Sequence, residues 1–480
     1  MTRPKPLALP LSTTASSRLG ALFLLLAAAC AQSHKPPVEN GGGSEIEGPA
    51  PHLRAPATLE TAPPAKSAHV DPVPEPSAGS QVSLGGILAY ADAHAPILAV
   101  ARSTRSRAEA ARTAAESVLP DNPTLSVAVG PRLAPRGTGV DLDVSLLQQI
   151  EVAGERGLRS EAAERLAEFT NMEIEAIRWY VHCDVHAAFH HALVAQESAR
   201  LAARVVVFQE GILRVVEQQI AAGETAPLTL RLAQAEVAQA KQLSIAAQQS
   251  FLIARVRLAQ LAGWPIATPP TPEGRVDAPR EPESRERLLA VAREHVPSLR
   301  AQLAKIREAE ARAVAADRES WARPSLGVQY RREGDTGDGA TNIVMGMVQL
   351  PIPTFQKNQR DRGNARADLT VARAELEAAH HLLDAQVTEA HSEVVAASQR
   401  ASAYASEILP RFEENLTLLQ RSFELGEIDI LSLSAGRERF LRIQSDALAA
   451  QLDYFVALAS LERVVGVDLW HDDHHEEQEP

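Results

Sequence analysis

Short runs of alternating apolar and polar residues interrupt a chain that otherwise reads as very long helix. That contrast constrains the fold more than any other feature. Between Asn122 and Arg159, Leu125, Val127 and Val129 alternate with small or polar partners. After a Gly/Pro-rich turn, Val140, Leu142, Val144 and Leu146 alternate with Asp141, Asp143 and Ser145. A period of two marks a strand, so the stretch reads as a β-hairpin. Two strands alone are barely stable, and these need partners.

The partners are supplied by a repeat. His94-Ala95-Pro96 with Leu98 matches His295-Val296-Pro297 with Leu299, and Pro123-Thr124-Leu125 matches Pro324-Ser325-Leu326. Gln149-Ile150 matches Gln349-Leu350, Gly223-Glu224 matches Gly426-Glu427, and Gly263 matches Gly466. These landmarks keep register within three residues over roughly 200, which a shared helical composition cannot impose on Pro and Gly. The chain is therefore read as a tandem duplication, with repeats at 81–270 and 284–470 joined by a connector at 271–283. Each repeat has one layout: a helix (83–119; 284–322), a hairpin (123–150; 324–353), a long helix (159–222; 362–425) and a last helix (227–262; 428–465). The helix from 159, if continuous, extends about 95 Å at 1.5 Å per residue. Pro410 should kink its counterpart or end a segment there. Apolar positions three and four apart, such as Leu228, Leu232, Val237, Leu258 and Leu261, suit antiparallel helical hairpins packed like a coiled coil.

If the hairpins enter a membrane, their sheet cannot leave edges unpaired and must close. Bacterial barrels need at least eight strands and this chain offers four, so several copies must contribute; three would give twelve. Asp141, Asp143 and Ser145 would then face the lumen. Asn342 to Leu350 is apolar at both parities and reads less cleanly. Hairpins packed on the helices of a soluble protein are the alternative.

The N-terminal thirty residues read as an export signal, with Arg3, Lys5 and Arg18 before the apolar run Leu19–Ala29. That run is too short to span a bilayer as a helix. Cys30 follows a Leu-Ala-Ala-Ala sequence resembling a bacterial lipobox, which would make it an acylation site. Ordinary cleavage, with Cys30 incidental, is the alternative. Residues 31–80 are rich in Pro, Ala, Gly and Glu without apolar periodicity, as in a linker. Aromatics at 4% suit Ala/Leu helices, and a net charge of −13 argues against a nucleic-acid partner. Cys183 is the other cysteine, so no disulfide framework is expected. A nucleophile with its base, a phosphate-cradling loop and a Cys-rich metal site are all lacking, so neither an enzyme nor a cofactor is expected.

The segments Asn122–Val127, Gln148–Arg159 (QQIEVAGERGLR) and Leu350–Gly363 (LPIPTFQKNQRDRG) carry a resemblance to a known family. With the duplicated layout, they resemble the TolC family of outer-membrane efflux channels, in its cobalt-zinc-cadmium (CzcC-like) branch. The resemblance covers about residues 82–468. It implies a mainly α fold with a small membrane β-barrel: a homotrimer whose twelve-strand barrel continues into a long α-helical periplasmic barrel. It also implies an outer-membrane location, a periplasmic adaptor at the helix tips and an inner-membrane pump, most readily of the resistance-nodulation-division class. The tips fall at Gly223-Glu224 with Pro227 and at Gly426-Glu427 with Asp429. Gly relieves a helix reversal and Pro can start the next helix. Family members narrow the closed pore with aspartates six and nine residues after the second glycine. Ser432 and Ala435 stand there in this chain, which leaves the gate unassigned.

His182, His186 and His190 recur every four residues on one helix, a spacing that can put two imidazoles on a metal. A partly exposed polar stripe is the blander reading and the preferred one. The C-terminal tail, 471–480, holds His471, His474 and His475 among acids and could bind divalent cations weakly. The expectation is a lipid-anchored outer-membrane channel of a tripartite efflux system, passively conducting heavy-metal cations. A channel of the same fold for drugs or small organic molecules is one alternative; a non-conducting periplasmic coiled-coil scaffold is another.

Overall fold

The computed structural model describes residues 75–469, apart from 78, 120, 135–136, 224–225, 277, 336–338, 426 and a few side chains. The export signal, Cys30, Glu224, Gly426, the tail histidines and almost all of the linker lie outside the described residues.

The element order runs twice through one pattern. The first pass is α1 (Leu84–His94), α2 (Pro96–Ser103), α3 (Arg105–Ala115), then strands β2 (Thr124–Ala134) and β3 (Gly137–Gln149), then α4 (Glu155–Ala221) and α5 (Pro227–Ala262). The second is α6 (Arg285–His295), α7 (Pro297–Arg318), β5 (Ser325–Glu333), β6 (Thr341–Gln349), α8 (Gln359–Ala403), α9 (Leu409–Glu424) and α10 (Ile430–Val465). Two-residue strands β1 (Gln81–Val82) and β4 (Thr271–Pro272) pair in parallel, fastening the connector to the start of the first pass.

The first helix of each pass, read from sequence as continuous, is broken. Pro96 and Pro297 disfavour the α region for the residue before them, and Ala95 and Val296 take ψ of 126° and 115°. A second break falls at Thr104, whose hydroxyl donates to the Ala101 carbonyl at 2.6 Å. The long helix α4 starts four residues earlier than expected, at a left-handed Gly154, and runs unbroken for 67 residues, about 100 Å. Its counterpart is interrupted as Pro410 requires. A π-helical turn, Tyr404–Ile408, precedes α9, and Pro410 sits at the second position of the new helix, where its missing N–H costs least.

Two apolar cores follow from this repetition. One gathers Ile87, Leu98, Val185, Phe189, Leu193, Leu258 and Trp264; the other gathers Leu288, Leu299, Val387, Val394, Phe455, Leu458 and Leu461. At each, the glycine closing the last helix touches the break in the first. Gly263 (φ 77°) would place an added Cβ 2.1 Å from the His94 carbonyl oxygen, and Gly466 (φ 82°) would place one 2.6 Å from Val296 Cα. Landmarks separately aligned along the sequence therefore meet in space, in both halves.

Candidate channel wall and helix tips

Strands β2, β3, β5 and β6 form one antiparallel sheet in that order, leaving β2 and β6 as edges. Register fixes its faces. Val127 lies opposite Val144, Val144 opposite Tyr330, and Tyr330 opposite Val344. One face thus carries Leu125, Val127, Val129, Leu142, Val144, Leu146, Leu326, Val328, Val344 and Val348. Val129 is 70% exposed and Val348 76%. Such an apolar surface, bare in a single chain, marks an interaction with lipid or with protein.

The opposite face is polar in its middle strands. Asp143 lies opposite Ala128 and Arg331, and Ser145 opposite Ser126 and Gln329. Arg132 Nε donates to Asp141 at 3.0 Å and its Nη2 reaches Glu333 at 2.8 Å. Arg331 Nε meets Asp143 at 2.9 Å, and Gln329 donates to the same carboxylate at 2.6 Å. The Gly334 amide donates to Asp141 at 2.8 Å. Asp141, Asp143 and Ser145 share this face, as the alternation requires, although Ser145 is buried between neighbours. The partners Arg132, Arg331 and Glu333 were not singled out from sequence. They stand at the same parity as the aspartates and were legible once the register was known. On β6, Ile343, Met345 and Met347 occupy the polar side, so that strand is apolar both ways.

Where sheet meets helices, Glu151 and Glu155 are buried around Arg323. Its nitrogens lie 3.9 Å from each and from Glu319, while Arg159 pairs with Glu151. The Gln148–Arg159 segment thereby locks both hairpin bases together. Leu350, Ile352 and Phe355 extend the exposed apolar surface to this level.

At the other end, Gly223 takes φ 77° after α4 and Pro227 opens α5. Asp429 caps α10 by accepting from the Ser432 amide at 2.9 Å, and the Ser432 hydroxyl and amide hold its carboxyl below the usual range. The Glu427 side chain is exposed. Ile212, Val216, Ala233 and Leu433 form a small core that packs the two helical hairpins together near their tips. Beside it, the Arg437 guanidinium lies 3.0 Å from the Phe208 ring centre, and burial pushes its pKa down to about 10.

The histidine stripe lies mostly inside the protein, correcting the expectation of a partly exposed face. His186 and His190 are buried against α10, where His190 stacks on Phe455 at 4.1 Å. His186 Nδ1 donates to Glu462 at 2.8 Å. His182 stacks on Trp179 and stands 3.9 Å from Asp468. Among the described residues, no group of three or more His, Cys, Asp and Glu is arranged to hold a metal.

Two joined helical hairpins per chain, each set on a strand pair, give this chain the fold of the TolC-like outer-membrane channels. The chain matches the family model described as "Outer membrane efflux protein" over residues 288–467. It is 26% identical over 320 residues to the cobalt-zinc-cadmium resistance protein CzcC of Cupriavidus metallidurans, spanning 66% of this chain and 75% of that one. The open-state MtrE outer membrane channel of Neisseria gonorrhoeae superposes with a TM-score of 0.61 at 19% identity, over 80% of this chain and 89% of its own. VceC of Vibrio cholerae gives 0.61 at 14% identity, over 80% and 96%. The protein is an efflux channel of the outer membrane with a large periplasmic portion.

Proposed function

We propose that three copies close a twelve-strand barrel and serve as the passive exit duct of a tripartite efflux system for heavy-metal cations. The observation that carries the barrel is the four-stranded sheet with two free edges of opposite direction. Strand β6 of one copy can pair antiparallel with β2 of the next, which removes every edge, as a lipid-facing sheet requires. Lipid would cover the face of Val129 and Val348, and Asp141, Asp143 and Ser145 would face the lumen.

The two passes, 81–270 and 284–470, are read as a duplicated unit joined by the 271–283 connector. Their tips, at Gly223, Glu224 and Pro227 and at Gly426, Glu427 and Asp429, are the contact for a periplasmic adaptor. An inner-membrane pump of the resistance-nodulation-division class would stand below it. Cys30 is the proposed lipid anchor after signal removal. His471, His474 and His475 form a weak cation-binding tail. The cargo reading rests on the similarity to a cobalt-zinc-cadmium resistance protein. Deleting the gene should lower tolerance to zinc, cobalt or cadmium. Unchanged metal tolerance with lost drug tolerance would sink the metal reading while keeping the channel.

A further inference from the structure

The sheet's polar face holds five charged side chains, and their sum is not zero. Among the described strand residues of that parity these are Arg132, Arg331, Asp141, Asp143 and Glu333. Two guanidinium groups therefore oppose three carboxylates. The pairing is uneven as well. Arg331 contacts Asp143 directly and its charge also reaches Asp141, whereas Arg132 is in direct contact with both Asp141 at 3.0 Å and Glu333 at 2.8 Å. The surplus negative charge thus belongs to the Arg132 cluster. All five groups keep contact with solvent, their side chains being 25–42% exposed. At the far end of the chain, Ser432 and Ala435 carry no charge, and the Asp429 carboxylate accepts the Ser432 amide as a helix cap.

We propose that the barrel wall sets this channel's charge selectivity: the Arg132–Asp141–Glu333 cluster favours cations, and Glu333 supplies the decisive surplus charge. The inference rests on the three-copy barrel reading. Each copy contributes one surplus carboxylate, and threefold repetition places the same cluster at three positions around one level of the lumen. Fixed charges act on ions over about 10 Å at 0.1 M salt, so a ring in a confined lumen weights every passing ion. Arg132 moderates the ring by cancelling one charge of each cluster. The Arg331–Asp143 pair is neutral and ties β3 to β5 without altering the sum.

The test is the reversal potential of the purified full-length protein in a planar bilayer under a tenfold KCl gradient, compared with three variants. Glu333→Gln should move the reversal potential toward zero, and Arg132→Gln should move it further in the cation direction. The double variant Asp143→Asn with Arg331→Gln, which removes a neutral pair, should leave it unchanged. Conducting Glu333→Gln and Arg132→Gln channels with the wild-type reversal potential would overturn the inference and leave the barrel intact. A shift in the neutral double variant as large as that of Glu333→Gln would also overturn it, by tracing selectivity to local shape. Trimers that never conduct, even with the adaptor bound, would remove the barrel reading and this inference together.

Discussion

His186 of α4 and Glu462 of α10 meet in a fully enclosed contact, with imidazole Nδ1 2.8 Å from carboxylate Oε2. The other carboxylate oxygen accepts the Leu469 amide at 3.1 Å, and the Trp179 indole donates to the Glu462 carbonyl at 3.2 Å. One glutamate thus fastens three segments: the middle of α4, the end of α10 and the chain leaving it. Removing one partner of a buried pair strands the other away from water, which costs about 3–5 kcal/mol. Glu462→Ala should therefore lower the urea midpoint of the folded protein sharply. Glu462→Gln, which keeps an acceptor for Leu469, should cost less. Equal midpoints for wild type and Glu462→Ala would show that the contact does not fasten these helices.

The same cluster sets an expected pH dependence. Burial, the largest cause, depresses the pKa of His182 and His190 from 6.5; the His186 charge adds to the effect at both, and Asp468 opposes it at His182. The unfolded chain then binds more protons than the folded one below about pH 6.5. Stability from the neutral rings is present above that value and is lost as pH falls toward the folded values. Glu462 acts in the opposite sense. Burial raises its pKa against the hydrogen bond from His186, so its ionisation costs stability at neutral pH and the cost fades on acidification. Arg178, Arg463, Asp184 and Asp468 are the other charges around the site. Two histidines against one glutamate predict a lower urea midpoint at pH 5 than at pH 7.5. His190→Leu should flatten that difference. A midpoint that rises on acidification in the wild type would refute the balance.

Much of the architecture was readable before the structure because it is written in residues whose backbone demands are strict. Pro96, Pro297, Gly263 and Gly466 kept their register across both halves, and the structure seats each glycine on the matching break. The hairpins were readable because one face alternates over several residues. The His186–Glu462 contact was not, because 276 residues separate its partners. A glutamate inside a helical run carries no sign that it will be enclosed. The break at Thr104 was also hidden, since Thr104 stays in the right-handed helical region and no proline marks it. Arg132 and Glu333 became visible only when register set them across from Asp141.

The paired glycines lead to a further expectation. Gly263, Gly466 and Gly223 share a left-handed conformation, but an added Cβ at Gly223 meets nothing within 4 Å. Gly223→Ala should therefore cost only the conformational penalty, about 1–2 kcal/mol. Gly263→Ala and Gly466→Ala must also push backbone apart and should cost clearly more. Chemical denaturation of the three variants checks the order. Similar midpoints for Gly223→Ala and Gly263→Ala would mean that the contact with His94 yields easily.

The strand aspartates separate a lumen from a soluble packing surface. Asp143 holds Arg331 of β5 and Gln329 on the same strand, so Asp143→Leu leaves a guanidinium without its partner and puts an apolar side chain on the polar face. If that face lines a water-filled barrel, Asp143→Leu should reduce the yield of assembled trimers in outer-membrane fractions. Asp143→Asn, which keeps an acceptor, should reduce it less. Asp141→Leu should behave like Asp143→Leu, because Asp141 accepts from both Arg132 and the Gly334 amide. On the opposite face the order of substitutions reverses. Val129→Asp should block insertion, since a charge facing lipid is costly near the bilayer centre. Full trimer yield from Val129→Asp together with loss in Asp143→Leu would mean that the apolar face is not the one in contact with lipid.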